Sequence, residues 1–70
     1  MSEYGIVIEK AGANWSAFVP DIPGVVAVGE TPTECEANIQ EAIGIYLEEL
    51  REEGLAPTPP TSKVAYVKVA

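Results

Sequence analysis

The sequence predicts an α+β domain of order β-β-β-α-β, one helix packed on a four-stranded mixed sheet, and three observations lead there. Short segments of alternating polarity at residues 4–10, 15–19 and 25–28 are separated by turn-forming residues. An apolar stripe at spacings of three and four begins after Thr31 and continues to Leu50. A last alternating segment, residues 63–69, follows a run of prolines. At 70 residues the chain is a single domain over 1–70 with room for a small core.

In the first segment, Y-G-I-V-I-E-K, Ile6 and Ile8 fall on one face and Val7 and Glu9 on the other, as a strand with a buried face requires. Gly12 and Asn14 tolerate positive φ, so residues 11–14 form a hairpin connection. The return strand places Trp15, Ala17 and Val19 on one face and Ser16 and Phe18 on the other. Pro20 and Pro23 then fix their own φ angles, and a stiff corner closed by Gly24 presents Asp21 and Ile22. The third strand runs over 25–28 and ends at Gly29; connections this short make the three strands an antiparallel meander.

Thr31, Pro32, Thr33 and Glu34 read as a capping box with proline at the first helical position, so the helix begins at Pro32. Its stripe comprises Cys35, Ile39, Ala42, Ile43, Tyr46, Leu47 and Leu50, and Gly54 suits the left-handed position past its end. Gly44 weakens it by about 1 kcal/mol relative to alanine, and either lies on the outer face or admits a close neighbour. Three prolines make residues 55–60 a stiff surface connector. The final strand, 63–69, closes a crossover that normally runs parallel and right-handed. A single helix shields one sheet face; the other is lined by Val7 and Phe18 or by their alternates, an apolar patch that predicts a homo-oligomer, dimer or higher.

Eleven acidic residues against four basic ones give a formal charge of -7. Nucleic acid repels such a surface, while a basic protein partner is favoured. The basic residues Lys10, Arg51, Lys63 and Lys68 are scattered, so no direct nucleic-acid binding is expected. No apolar run reaches membrane-spanning length and the start does not resemble a signal peptide, which predicts a cytoplasmic protein without membrane contact. One cysteine forbids an internal disulfide.

Histidine is absent, which removes the commonest general base and the usual zinc ligand. Cys35 lies on the apolar stripe as a core thiol, and Glu9, Asp21 and Glu30 each have a structural reason to be acidic. The reading is no enzyme, with no catalytic, metal or cofactor residues. A metal-assisted nuclease using Asp21 and Glu9 is the rival reading. Glu48, Glu49, Glu52 and Glu53 crowd the helix end where the dipole is already negative, with Arg51 alone to answer them. A cationic partner would relieve that repulsion. The candidate partner-binding residues are Asp21, Ile22, Pro23, Glu48, Glu49 and Glu52; the candidate oligomer face is Val7 and Phe18.

The chain resembles the HicB-like antitoxin family, the partner half of HicA-HicB toxin-antitoxin pairs. The resemblance is carried by A-F-V-P-D-I-P-G at 17–24, G-x-T at 29–31, N-I-x-E-A-I with Y-L across 38–47, and E-E-G with the proline-rich linker across 52–60. It implies a partial ribonuclease H-like fold without that superfamily's catalytic carboxylates. It also implies a basic, mRNA-cleaving HicA-type toxin as partner, blocked at its active site, and assembly into oligomers. Two positions depart from the family pattern, Val25 for a common cysteine and Cys35 for a common alanine, and both suit a core. Many members append an operator-binding domain; this chain's end at Ala70 predicts none, and operator binding by the chain itself is not expected. A solitary structural or small-ligand-sensing oligomer is the further alternative.

Overall fold

A computed structural model describes residues 2–70. The strands β1 (Val7–Ala11), β2 (Asn14–Phe18) and β3 (Val26–Gly29) precede one helix, α1 (Pro32–Glu52). Among the described residues the sheet has three strands, in the order β1-β2-β3, both pairs antiparallel. The meander expected from the short connections therefore forms, with each strand shifted one to three residues from its sequence-read start.

Strand parity settles the two faces. Ala17, Val19, Ile22, Cys35 and Ile39 make the buried core, with Ile6, Ile8, Trp15, Val25 and Ala27 packed round it beneath the helix. Lys10 lies over the Trp15 ring at 5.2 Å, covering the end of that layer with a cation–π contact. The opposite face carries Val7 paired with Phe18, and Phe18 paired with Val26, a row of three apolar side chains across the sheet. Phe18, Val26 and Val28 on this face are exposed.

The corner after β2 consists of two successive turns. Ile22 N–H donates to Val19 carbonyl at 3.0 Å, and Val25 N–H to Ile22 carbonyl at 3.3 Å. In the second turn Pro23 sits at position i+1 and Gly24 at i+2 with φ of 93°, the type II pattern that demands glycine there.

The helix begins at Pro32, as the capping box predicts. Glu34 N–H donates to the Thr31 hydroxyl at 3.1 Å, and the Glu34 carboxylate accepts from Glu30 N–H at 3.0 Å. The returning bond thus reaches one residue before the cap. At the other end Leu55 N–H bonds to Leu50 carbonyl at 2.9 Å and Gly54 N–H to Arg51 carbonyl at 3.1 Å, a Schellman motif with Gly54 at φ 71°. Gly44 faces open space within this chain, so no strand of its own sheet approaches it.

The expected fourth strand is not formed. Residues 55–70 carry neither helix nor strand, and the four-stranded sheet is corrected to three strands. The physical reason lies in how the returning chain is held: side-chain bonds pin it at the corner and beside the residues before β1, and past Val64 nothing pairs it to the sheet edge. Tyr4 hydroxyl donates to Thr58 carbonyl, and Thr61 and Ser62 are bound by Asp21. From there the tail projects outward, with Tyr66 96%, Val67 83% and Val69 88% exposed.

Candidate functional site: the corner, the acidic helix end and the groove between them

The corner and the helix meet at a shallow open groove. Gly24, Val25 and Val26 form one wall; Ala42, Ile45, Tyr46 and Glu49 form the other. Sequence reasoning treated the P-D-I-P-G corner and the glutamate-rich helix end as separate candidates, and the fold brings one residue of each, Gly24 and Glu49, to opposite walls of this depression. Its lining is mainly apolar, and Glu49 is the one acidic residue along it. Ile45 was not foreseen: its spacing from Glu41, Glu48 and Glu52 puts it on the acidic face of the helix, where it is exposed.

Of the four glutamates at the helix end, Glu48 is paired, its carboxylate 2.6 Å from Arg51 Nη2 across one helical turn. Both partners are exposed, so the pair contributes little to stability. Glu49, Glu52 and Glu53 are exposed, and among the described residues no ion pair answers them. Negative charge at the C-terminal end of a helix is unfavourable beside its dipole, which a cation at this helix end would offset.

Asp21, Ile22 and Pro23 separate in role. Pro23 is exposed, whereas Ile22 is 1% exposed and is corrected from a partner-facing residue to a core residue. The two turns of the corner rotate its side chain inward beneath the helix, where burial of an isoleucine is worth about 1.5–3 kcal/mol. The carboxylate of Asp21 is engaged by the chain itself. Oδ2 accepts from the backbone N–H of Thr61 at 3.0 Å and of Ser62 at 2.9 Å, and Oδ1 from the two hydroxyls at 3.0 and 2.8 Å. The Ser62 backbone and side-chain bonds, followed by those of Thr61, hold this carboxyl below its ordinary value; partial desolvation opposes them. Sequence reasoning missed the clamp because its partners lie 40 residues away; the one signal was the Thr61-Ser62 donor pair directly after the prolines.

Val7 and Phe18 stand directly opposite one another on the helix-free face. Glu9 lies on β1, Asp21 at the corner and Glu30 at the helix cap, and among the described residues no three of Cys, Asp or Glu gather as metal ligands would. Cys35 is fully buried, its thiol directed to Ala27 carbonyl at 3.9 Å. Among the described residues no helix is long and apolar enough to cross a membrane.

A three-stranded meander under one helix, carrying a shallow, mainly apolar groove beside its corner, defines the class of domain. Residues 4–69 match the sequence model of the HicB_like antitoxin of bacterial toxin-antitoxin systems. The chain belongs to this HicB-like antitoxin family. It is similar to a UPF0150 protein of Helicobacter pylori strain J99, 38% identical over 65 residues, covering 91% of this chain and 90% of that one. It is also similar to Antitoxin HicB 2 of Photorhabdus laumondii, 34% identical over 70 residues, covering 94% of this chain and 48% of the other. An uncharacterized 14.9 kDa protein of Haemophilus phage HP1 is 38% identical over 50 residues, 71% of this chain and 38% of that protein. The chain thus spans less than half the length of these last two relatives.

Two solved structures resemble it. The HicA3 and HicB3 toxin-antitoxin complex contains a chain with TM-score 0.69 and 33% identity, covering 84% of this chain and 70% of that one. TTHA0281 from Thermus thermophilus gives TM-score 0.74 and 32% identity, covering 87% and 82% respectively.

Proposed function

We propose that the chain acts by contact, as an antitoxin that binds a small basic HicA-type toxin and covers its mRNA-cleaving site. The carrying observation is the groove between the corner and the helix, apolar along Val25, Ala42 and Ile45, with Glu49 of the exposed glutamate-rich helix end in its wall. A basic surface docking there buries apolar area in the groove and sets a cation against Glu49, and in this reading it extends along the helix end to Glu48 and Glu52. Pro23 gives the rim a rigid edge, and Asp21 contributes by holding the chain beside it. The relative in a HicA-HicB complex supports the kind of partner.

In this reading the domain works in the cytoplasm, where mRNA is cleaved, and assembles as a homo-oligomer through the helix-free sheet face at Val7 and Phe18. The sheet is the frame of a partial ribonuclease H-like fold whose chemistry is not used.

The test is co-expression with a HicA-type toxin and measurement of complex formation across a salt series. Association that weakens as salt rises, and that is lost when Glu48, Glu49 and Glu52 are together changed to lysine, is the expected result. A pair that fails to associate at low salt overturns the proposal, as does a complex indifferent to the triple charge reversal.

A further inference from the structure

The geometry points to the C-terminal tail as an exchanged strand: residues 64–69 of one copy add to the free edge of β1 in a second copy, reciprocally, giving each sheet its fourth strand. This rests on the reading of the chain as a homo-oligomer; the exchanged tails hold the two copies together, and the helix-free faces at Val7 and Phe18 pack only once they do.

The tail has the pattern of a strand and none of its pairing. Val64, Tyr66 and Lys68 alternate with Ala65, Val67 and Val69, yet the segment makes no ladder within its own chain and its large apolar side chains are exposed. A run of this kind is stable in water when another sheet edge takes its amides and carbonyls. β1 supplies such an edge, since β2 occupies one side of it and no strand among the described residues occupies the other. Its five residues match a six-residue tail segment in length.

The chain is also held so that the tail leaves at that edge. Asp21 fixes Thr61 and Ser62, Tyr4 fixes Thr58, and Val64 passes so close to Gly5 that a Cβ there would lie 2.9 Å from Val64 Cγ2. Past this crossing the tail diverges from the body. The segment beyond Val64, unpaired with its own sheet, is thus free to be exchanged between copies. Residues 4–6, extended in pattern but outside β1 as formed, lie at the crossing and would be drawn into the same ladder.

Charge is compatible with this occupant. The tail beyond Thr61 carries Lys63 and Lys68, half of the basic residues, and none of the eleven acidic ones. The body it would dock on is correspondingly acidic, so a second copy is electrostatically complementary to the tail.

The test uses the full chain and two single variants, Tyr66→Pro and Val67→Pro. Adjacent amides of a strand point to opposite sides, so one of these prolines must remove a donor aimed at the partner. Light scattering is expected to give a dimer for the parent chain and the monomer mass for at least one variant. Hydrogen exchange at β1 should rise in that variant while the helix amides stay protected, which separates loss of exchange from loss of folding. A monomeric parent, or a dimer kept by both variants, overturns the inference. Toxin binding is measured in parallel: a chain that dimerises as expected yet ignores the toxin overturns the antitoxin reading alone, and one that binds toxin as an undisturbed monomer overturns the strand exchange alone.

Discussion

Gly29 leaves no space for a side chain, because the helix starts directly against it. A Cβ built there would lie 2.6 Å from the Cys35 nitrogen and 2.8 Å from its Cα, both backbone atoms that cannot swing aside. Gly29→Ala is therefore expected to push the helix off β3 and destabilise the fold by about 1–3 kcal/mol, as overpacking does. Urea unfolding measures it; a variant as stable as the parent would show that the helix start has freedom to move. Asn38 belongs to the same junction, its side-chain amide donating to Val28 carbonyl at 2.7 Å. That bond satisfies a carbonyl of the edge strand and fixes the helix rotation over the sheet.

Each end of the helix is closed by bonds that local sequence specifies. Thr31 accepts from Glu34 N–H at one end, and the Gly54 motif ties Leu55 back to Leu50 at the other. Thr31→Ala removes the acceptor and leaves that amide to water, an expected loss of about 1 kcal/mol. Thermal unfolding checks it, and Thr31→Ser should restore most of the loss; equal stability of parent and alanine variant would mean that Glu34 caps the helix unaided. Between these ends, Cys35 and Ile39 are buried while the glutamate-rich C-terminal turns stay in water. The helix is thus a packing element in its first half and a charged surface in its last third.

At the scale of the whole molecule, one carboxylate joins chain segments 40 residues apart. Asp21 is half-exposed and titrates below its ordinary value of 3.8 because its charged form receives the bonds of Ser62 and Thr61. A carboxyl depressed by folding contributes stability that is present above the unfolded pKa and is lost as pH falls through the folded one. The tail is accordingly expected to stay anchored at neutral pH and to detach in acid, below 3.8. Hydrogen exchange at Thr61 and Ser62 reads this directly, and Asp21→Asn should expose the same amides at neutral pH. Continued protection of both amides in the variant would place the anchor elsewhere.

The order of three strands and a helix was legible in the residues themselves, since alternation, the Pro23-Gly24 turn, the Thr31 cap and the Gly54 terminus are each set by neighbours a few positions apart. The family was legible in the same local motifs. What the sequence could not decide was where residues 63–69 go, because their alternation is compatible with any free sheet edge and states nothing about whose edge it is. The roles within the corner also awaited the fold: turn geometry sends Ile22 inward, and Asp21 finds its donors far along the chain. Local chemistry fixes elements, whereas the meeting of the corner, the acidic helix end and the tail depends on contacts distant in sequence, which only packing in three dimensions selects.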